Sequence, residues 1–316
     1  TSAPEQQIVV EELFENLGLY MIPYGRNRID VKIPKRHRLV PHSSGIKMML
    51  DILHRSRLQF PGMATGFVQR MLDEALTHCR ERLVGGKGLI DYDQVQQRLA
   101  RLQGAFKVCS AMCNHSGSRA DPAADLAPYG LEANSVKTVV TDLMQDAAQS
   151  LLQLAGAKGF RLDHIAGRST VDSRPFQIFE GSNDILYVQI SETILKLMKR
   201  AREYNLLNVL LRLDLTRRPV DRLKKLLDIE LQSQLAQRQL VEIGRVVSRV
   251  IAMGFVLDIG DKGFRSDLVE NSLTMLQQEI AGQIGAFVVG DPAVVVEEYQ
   301  EGGGWFDLAG EPGSGG

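Results

Sequence analysis

The sequence predicts a mainly α protein: an antiparallel, four-helix-bundle-like domain with a short extended region before it and a helical extension after it. Three observations predict this. From Gly45 to Val289, apolar residues recur at three- and four-residue steps through most of the chain. Alternation with period two is confined to the stretch from Leu19 to Ile33. No Walker-type phosphate loop and no dinucleotide-binding glycine fingerprint occurs.

The elements follow in order. Val9 to Leu17 reads as a short helix. Tyr20, Ile22 and Tyr24 alternate, as do Ile29, Val31 and Ile33, and both runs read as extended chain. Pro23 and Pro34 confine these runs to edges or ends. Helix begins at Gly45 with Ile46, Met49, Leu50 and Leu53, and Pro61-Gly62 interrupts it. It resumes through Phe67, Met71, Leu72 and Ala75 until Gly85, Gly86 and Gly88. Val95, Leu99, Leu102, Phe106 and Cys109 mark the next helix, and a loop follows from Ser116 to Asn134. Val136, Val139, Val140, Leu143, Met144, Ala147, Leu151 and Leu154 form the clearest apolar stripe, stopped by Gly156 and Gly159. A loop then leads to Glu180, and Ser182 caps a helix to about Arg202. Leu223 to Ile251 keep a helical period with few breakers. These limits divide the chain into residues 1–42, 43–203, 204–300 and a Gly-rich tail at 301–316, in which Trp305 and Phe306 form either a docking motif or part of a loose end.

The chain has 316 residues, 44% of them hydrophobic, enough for one large core or two modest ones. A net charge of −1 argues against a dedicated nucleic-acid binder. Cys79, Cys109 and Cys113 have no framework spacing, which suggests a reducing intracellular compartment, cytoplasmic or mitochondrial. Cys109, Cys113 and His115 lie close together but lack the further ligands that zinc requires, so a structural role is expected. No signal peptide and no apolar run long enough to span a bilayer is evident.

Three segments carry a resemblance. The first is Asp30-Val-Lys-Ile-Pro34, followed by Gly45-Ile-Lys and Arg57. The second contains Arg82, Gly86 and Leu99-Ala100. The third is Gln153-Leu-Ala-Gly156-Ala-Lys-Gly159-Phe160, then Asp172, then Phe179-Glu180-Gly181-Ser182-Asn183-Asp184-Ile185. In order and spacing these resemble the acyl-CoA dehydrogenase family, and the last wording is nearest its very-long-chain branch. The resemblance implies FAD-dependent oxidation of an acyl-CoA, long-chain by that branch, to the 2,3-enoyl-CoA, with Glu180 as the base that removes the α-proton. It implies that Arg82, Gln153, Gly156, Ser182 and Asp184 contact FAD, and that Arg57 and Gly181 lie at the substrate. The position where some relatives carry the base is Ser56, which cannot serve. Phe176, Ile178 and Phe179 offer apolar neighbours that would desolvate Glu180 and make it a stronger base.

The pattern departs from the family at Val84, Gly85, Asp93, Ala157 and Val171, mostly near the expected FAD contacts. Only about forty residues precede the bundle, where the family has a helical and a β domain, so the chain reads as truncated or completed by a second chain. The implied partners are an electron-transfer flavoprotein or another acceptor, and further subunits in a homo- or hetero-oligomer. A second reading is a degenerate subunit that keeps the bundle for assembly or acyl-CoA binding without oxidation. Two basic groups, Arg26 to Arg38 and Lys196 to Arg222, read as solvated faces, the second also as a surface for anionic lipid in peripheral membrane contact.

Overall fold

The computed structural model describes residues 7–119, 121–289 and 293–297. The Gly-rich tail with Trp305 and Phe306 lies outside them. Strand β1 (Gln7–Leu13) pairs antiparallel with β2 (Gly25–Asp30). The helix expected from Val9 is therefore a strand. Ile8, Val9 and Val10 are β-branched and favour extended backbone. Tyr20 to Tyr24, expected to be extended, belong instead to the connection between the strands.

That connection is pinned to the bundle. The amide of Leu19 donates to the Asp172 carboxylate at 2.7 Å. At Gly18, a Cβ would sit 2.8 Å from the main chain of Val171, so the close approach needs glycine.

Helix α1 (Gly45–Arg57) starts at Ser44, whose hydroxyl accepts from the Lys47 amide. Helix α2 (Phe60–Glu81) carries Pro61 in its first turn, where a missing amide costs no helical hydrogen bond. A tight hairpin, β3 (Leu83–Val84) with β4 (Lys87–Gly88), turns on Gly85 and Gly86, both left-handed at φ 56° and 84°. Helices α3 (Asp93–Ser118) and α4 (Gly130–Ala155) follow. The expected loop before Glu180 contains a further helix, α5 (Ile165–Ser173). It is too short to show a clear apolar period. Helix α6 (Asn183–Ala201) runs to a left-handed cap at Arg202.

The extension begins with three short helices, α7 (Leu206–Leu210), α8 (Arg217–Val220) and α9 (Lys224–Leu227). Two long ones follow, α10 (Gln237–Asp261) and α11 (Ser266–Val288). The period expected to continue from Leu223 to Ile251 breaks between Leu227 and Gln237. There the amide of Leu206 donates to the Ile229 carbonyl and that of Leu231 to the Tyr204 carbonyl. Those tertiary hydrogen bonds take backbone groups that a continuous helix would have used.

Helix α4 is the central element. It packs on α1, α2, α3, α5, α6 and α10 and is buried around most of its circumference. Helices α10 and α11 share the bundle's core through α3, α4 and α6. At Gly244 of α10, an added Cβ would overlap the Tyr187 carbonyl of α6, so the two helices touch backbone to backbone.

Candidate active site

Glu180 stands in left-handed backbone at φ 58°, and Gly181 follows at φ 96°. For a residue with a Cβ this conformation costs about 1–3 kcal/mol. Hydrogen bonds from below hold it. The Arg57 guanidinium donates twice to the Glu180 carbonyl, from Nε at 3.0 Å and from a terminal nitrogen at 2.7 Å. Its other terminal nitrogen donates to Asn134 Oδ1 at 2.7 Å. Lys137 Nζ donates to the Gly181 carbonyl at 2.9 Å and to Asn183 Oδ1 at 2.8 Å. Arg57 and Lys137 are both buried, and each hydrogen bond that these charged donors make to a neutral acceptor contributes about 1.5–3 kcal/mol.

Burial pushes the Arg57 pKa below its ordinary value, with the Glu180 charge opposing. Burial, helped by repulsion from Arg57, brings Lys137 down to about 8, while Asp142 and Glu180 oppose. Glu180 itself is half-buried, and its charge is felt by both cations. Before it, Phe179 stacks on Tyr24 at 5.5 Å, and Phe176 meets Phe60 edge to face at 5.9 Å. Ile178, expected among the apolar neighbours, is exposed. Tyr24, Phe179, Leu17, Leu19 and Val171 line a cleft of about 230 Å³ beside the turn.

Asn183 extends the network into the extension. It donates to Asp142 Oδ1 at 2.7 Å, and Arg249 of α10 donates to Asp142 Oδ2 at 3.1 Å. Tyr187 and Glu279 complete the cluster around Arg249. Burial alone would raise the Asp142 pKa. Arg249 and donors from Tyr187, Gln177 and Asn183 hold it below the carboxylate range instead. Sequence reasoning missed Lys137, Asp142 and Arg249. Their only signal was charged residues interrupting apolar helical stripes.

The expected FAD contacts fall into two groups. Ser182 and Asp184 begin α6 beside Glu180. Ser182 is the cap residue by position, but its hydroxyl makes no capping hydrogen bond. Asp184 is exposed and lies 3.5 Å from Arg245. Gln153 and Gly156 sit at the far end of α4, lining with Phe160 an open depression of about 390 Å³. Thr141, against Asn183, is about 18 Å along the helix from Gln153. One chain therefore does not bring the two groups together.

Near Gln153, positive charge accumulates. Burial and then Lys158, Arg82 and His164 hold the His78 imidazole below its usual range. An exposed Arg82 and Lys158, both close enough to act on His78, fit a diphosphate. Asp93, a departure in sequence, is exposed at the start of α3, where the helix dipole favours a carboxylate. The donor set at this end thus suits the FAD diphosphate, and the hydroxyl and amides at the start of α6 suit a flavin ring.

A sequence profile described as the C-terminal domain of acyl-CoA dehydrogenase matches residues 43–195. This stretch of the chain belongs to the acyl-CoA dehydrogenase family. The chain is 25% identical over 167 residues to the CarC subunit of a caffeyl-CoA reductase–Etf complex from Acetobacterium woodii, covering 53% of this chain and 43% of that one. It is 29% identical over 157 residues to (2S)-methylsuccinyl-CoA dehydrogenase of Cereibacter sphaeroides, covering 48% and 27%. The mitochondrial very-long-chain specific acyl-CoA dehydrogenase of Mus musculus is 26% identical over 156 residues, covering 49% and 24%. The chain thus spans less than half the length of these relatives. The crystal structure of an acyl-CoA dehydrogenase complexed with FAD from Bacillus anthracis shares the fold with a TM-score of 0.70 at 20% identity, over 89% of this chain and 56% of that one. That likeness reaches past the acyl-CoA dehydrogenase domain into the extension.

Elsewhere, His115 pairs with Glu132 at 2.8 Å and stacks on Phe255. Cys109 is fully buried, which pushes its thiol pKa far up. No cluster suited to a metal occurs among the described residues. Arg212, Arg217, Arg218 and Arg222 of the second basic group all form ion pairs, the last two with Asp258, Asp261 and Glu270 of the extension. Among the described residues, no helix is long and apolar enough to cross a membrane.

Proposed function

We propose that this chain takes part in FAD-dependent α,β-dehydrogenation of a long-chain acyl-CoA thioester to the 2,3-enoyl-CoA, with Glu180 as the base that removes the α-proton. One observation carries the reading. Glu180 stands on a left-handed turn whose carbonyls are gripped by buried Arg57 and Lys137, within an acyl-CoA dehydrogenase domain. A general base must be held at a defined place before its pKa matters. Relatives whose names specify caffeyl-CoA, (2S)-methylsuccinyl-CoA and very long-chain acyl-CoA support a CoA thioester as substrate.

Each residue's part follows from its place. Glu180 holds and moves the α-proton. Gly181 has no side chain and lets the thioester approach the backbone. Arg57 acts on the substrate side through the Glu180 carbonyl that it holds. Ser182 and Asp184 face the flavin. Gln153 and Gly156, at the end of α4 about 18 Å from Thr141, and Arg82, at the end of α2, serve the diphosphate of a second subunit's FAD in an oligomer. When bound, FAD supplies the acceptor for the β-hydrogen. An electron-transfer flavoprotein is the proposed next acceptor, consistent with the Etf complex named for the CarC relative.

The test is the visible spectrum of the purified chain, followed by turnover of Glu180→Gln. Flavin absorbance, with turnover lost in Glu180→Gln and flavin binding kept, is expected. A colourless protein that binds no added FAD overturns the reading in favour of a non-oxidising subunit. Retained turnover in Glu180→Gln removes Glu180 from the base role.

A further inference from the structure

Lys137 has no exposure to solvent, although its neighbours on α4, Val136, Val139 and Val140, show what packing alone selects there. Burying an ammonium costs several kcal/mol unless its donors are engaged. Here they are. Nζ reaches the Gly181 carbonyl and Asn183 Oδ1, and it lies 5.9 Å over the Phe60 ring. No aliphatic residue could make these contacts.

The partners of Lys137 and Arg57 are consecutive. Arg57 holds the carbonyl of Glu180 and Lys137 holds the carbonyl of Gly181. Glu180 has a Cβ and stands in left-handed backbone, so the Arg57 grip opposes a local preference to relax, while Gly181 takes its positive φ freely and the Lys137 grip selects one of the conformations open to it. With both peptide planes held, the turn between them cannot rotate. Asn183 anchors the other side. It is the first residue of α6, and it is tied through Asp142 to Arg249 of the extension.

We propose that Lys137 is a positioning residue for Glu180: by holding the Gly181 carbonyl and the Asn183 side chain, it fixes the turn that aims the carboxylate. Its catalytic consequence rests on Glu180 being the base, but the clamp does not.

The experiment is hydrogen–deuterium exchange of the full chain, read by mass spectrometry on peptides covering residues 176–188. Lys137→Met removes every donor at similar length, and Lys137→Gln restores one. Exchange in this region should rise at least about tenfold in Lys137→Met, as expected for loss of a charged hydrogen bond. Peptides of α10 should stay unchanged, and Lys137→Gln should fall between. Where acyl-CoA oxidation is measurable, kcat should fall with KM unchanged. Unchanged exchange at 176–188 overturns the proposal, as does equal loosening of α4, α6 and α10, which would make Lys137 a core residue only. If Lys137→Met does not fold, Lys137→Gln decides, and exchange equal to wild type overturns the proposal. A wild-type chain without flavin or turnover would sink the base reading and leave the exchange result standing.

Discussion

The guanidinium of Arg57, at the end of α1, donates twice to the main-chain carbonyl of Glu180, and so joins two elements 123 positions apart in the chain. The contact is with the backbone, so it controls where the glutamate stands and leaves its carboxylate free. A planar fork suits this task because two of its donors reach one acceptor while a third reaches Asn134.

Arg57→Lys should keep the charge and lose the fork. A single ammonium cannot span both the Glu180 carbonyl and Asn134. Flavin content should be unchanged while turnover drops by about a hundredfold, the scale of a misplaced reacting group. Steady-state kinetics beside the flavin spectrum check this, and wild-type turnover would show that the grip on the carbonyl is dispensable.

Arg249→Met should destabilise the protein by about 3–5 kcal/mol, because it leaves Asp142 buried without its cation. Urea unfolding at neutral pH measures it. Acid should erase the difference. The folded-state pKa of Asp142 lies below its unfolded value, so its stabilisation is present above the ordinary carboxylate range and is lost as pH falls through the folded value. Wild type and Arg249→Met should converge in stability as pH drops below about 4.

Lys137 predicts an opposite limb. Its folded pKa of about 8 lies below the ordinary 10.5, because of burial and Arg57, with Asp142 and Glu180 opposing. Between those values the unfolded chain binds more protons, so stability from this group rises with pH. Relative to Lys137→Met, wild type should gain up to about 3 kcal/mol between pH 8 and 10.5. Paired urea titrations across this window test it, and parallel curves would contradict it.

Gly244→Ala should separate α10 from α6. The added methyl would overlap the Tyr187 carbonyl, which belongs to a helix backbone and cannot swing aside. A loss of at least about 1–3 kcal/mol is expected. Gly282→Ala, where a Cβ meets nothing, is the matched control and should leave the melting temperature unchanged or slightly higher.

The helices of the bundle were legible because each is long and buries a stripe, as Val136 to Leu154 do on α4. The element from Gln153 to Glu180 was legible for a different reason: its residue types and spacing resemble the acyl-CoA dehydrogenase pattern, and residues 43–195 belong to that family. The β1 strand and helix α5 were not legible. Short segments carry too few periods to separate helix from strand or loop, and β1 is decided by pairing with β2 across a turn.

By itself, then, the sequence determined the mainly α fold, the family pattern and the place of Glu180 in the chain. Only the tertiary structure decided what holds that glutamate. Arg57, Lys137, Asn183, Asp142 and Arg249 come from α1, α4, α6 and α10, and no local spacing relates them. Each charge is tolerable in the core only because folding brings its partner to hydrogen-bond distance. That pairing is a property of packed helices, not of any one segment.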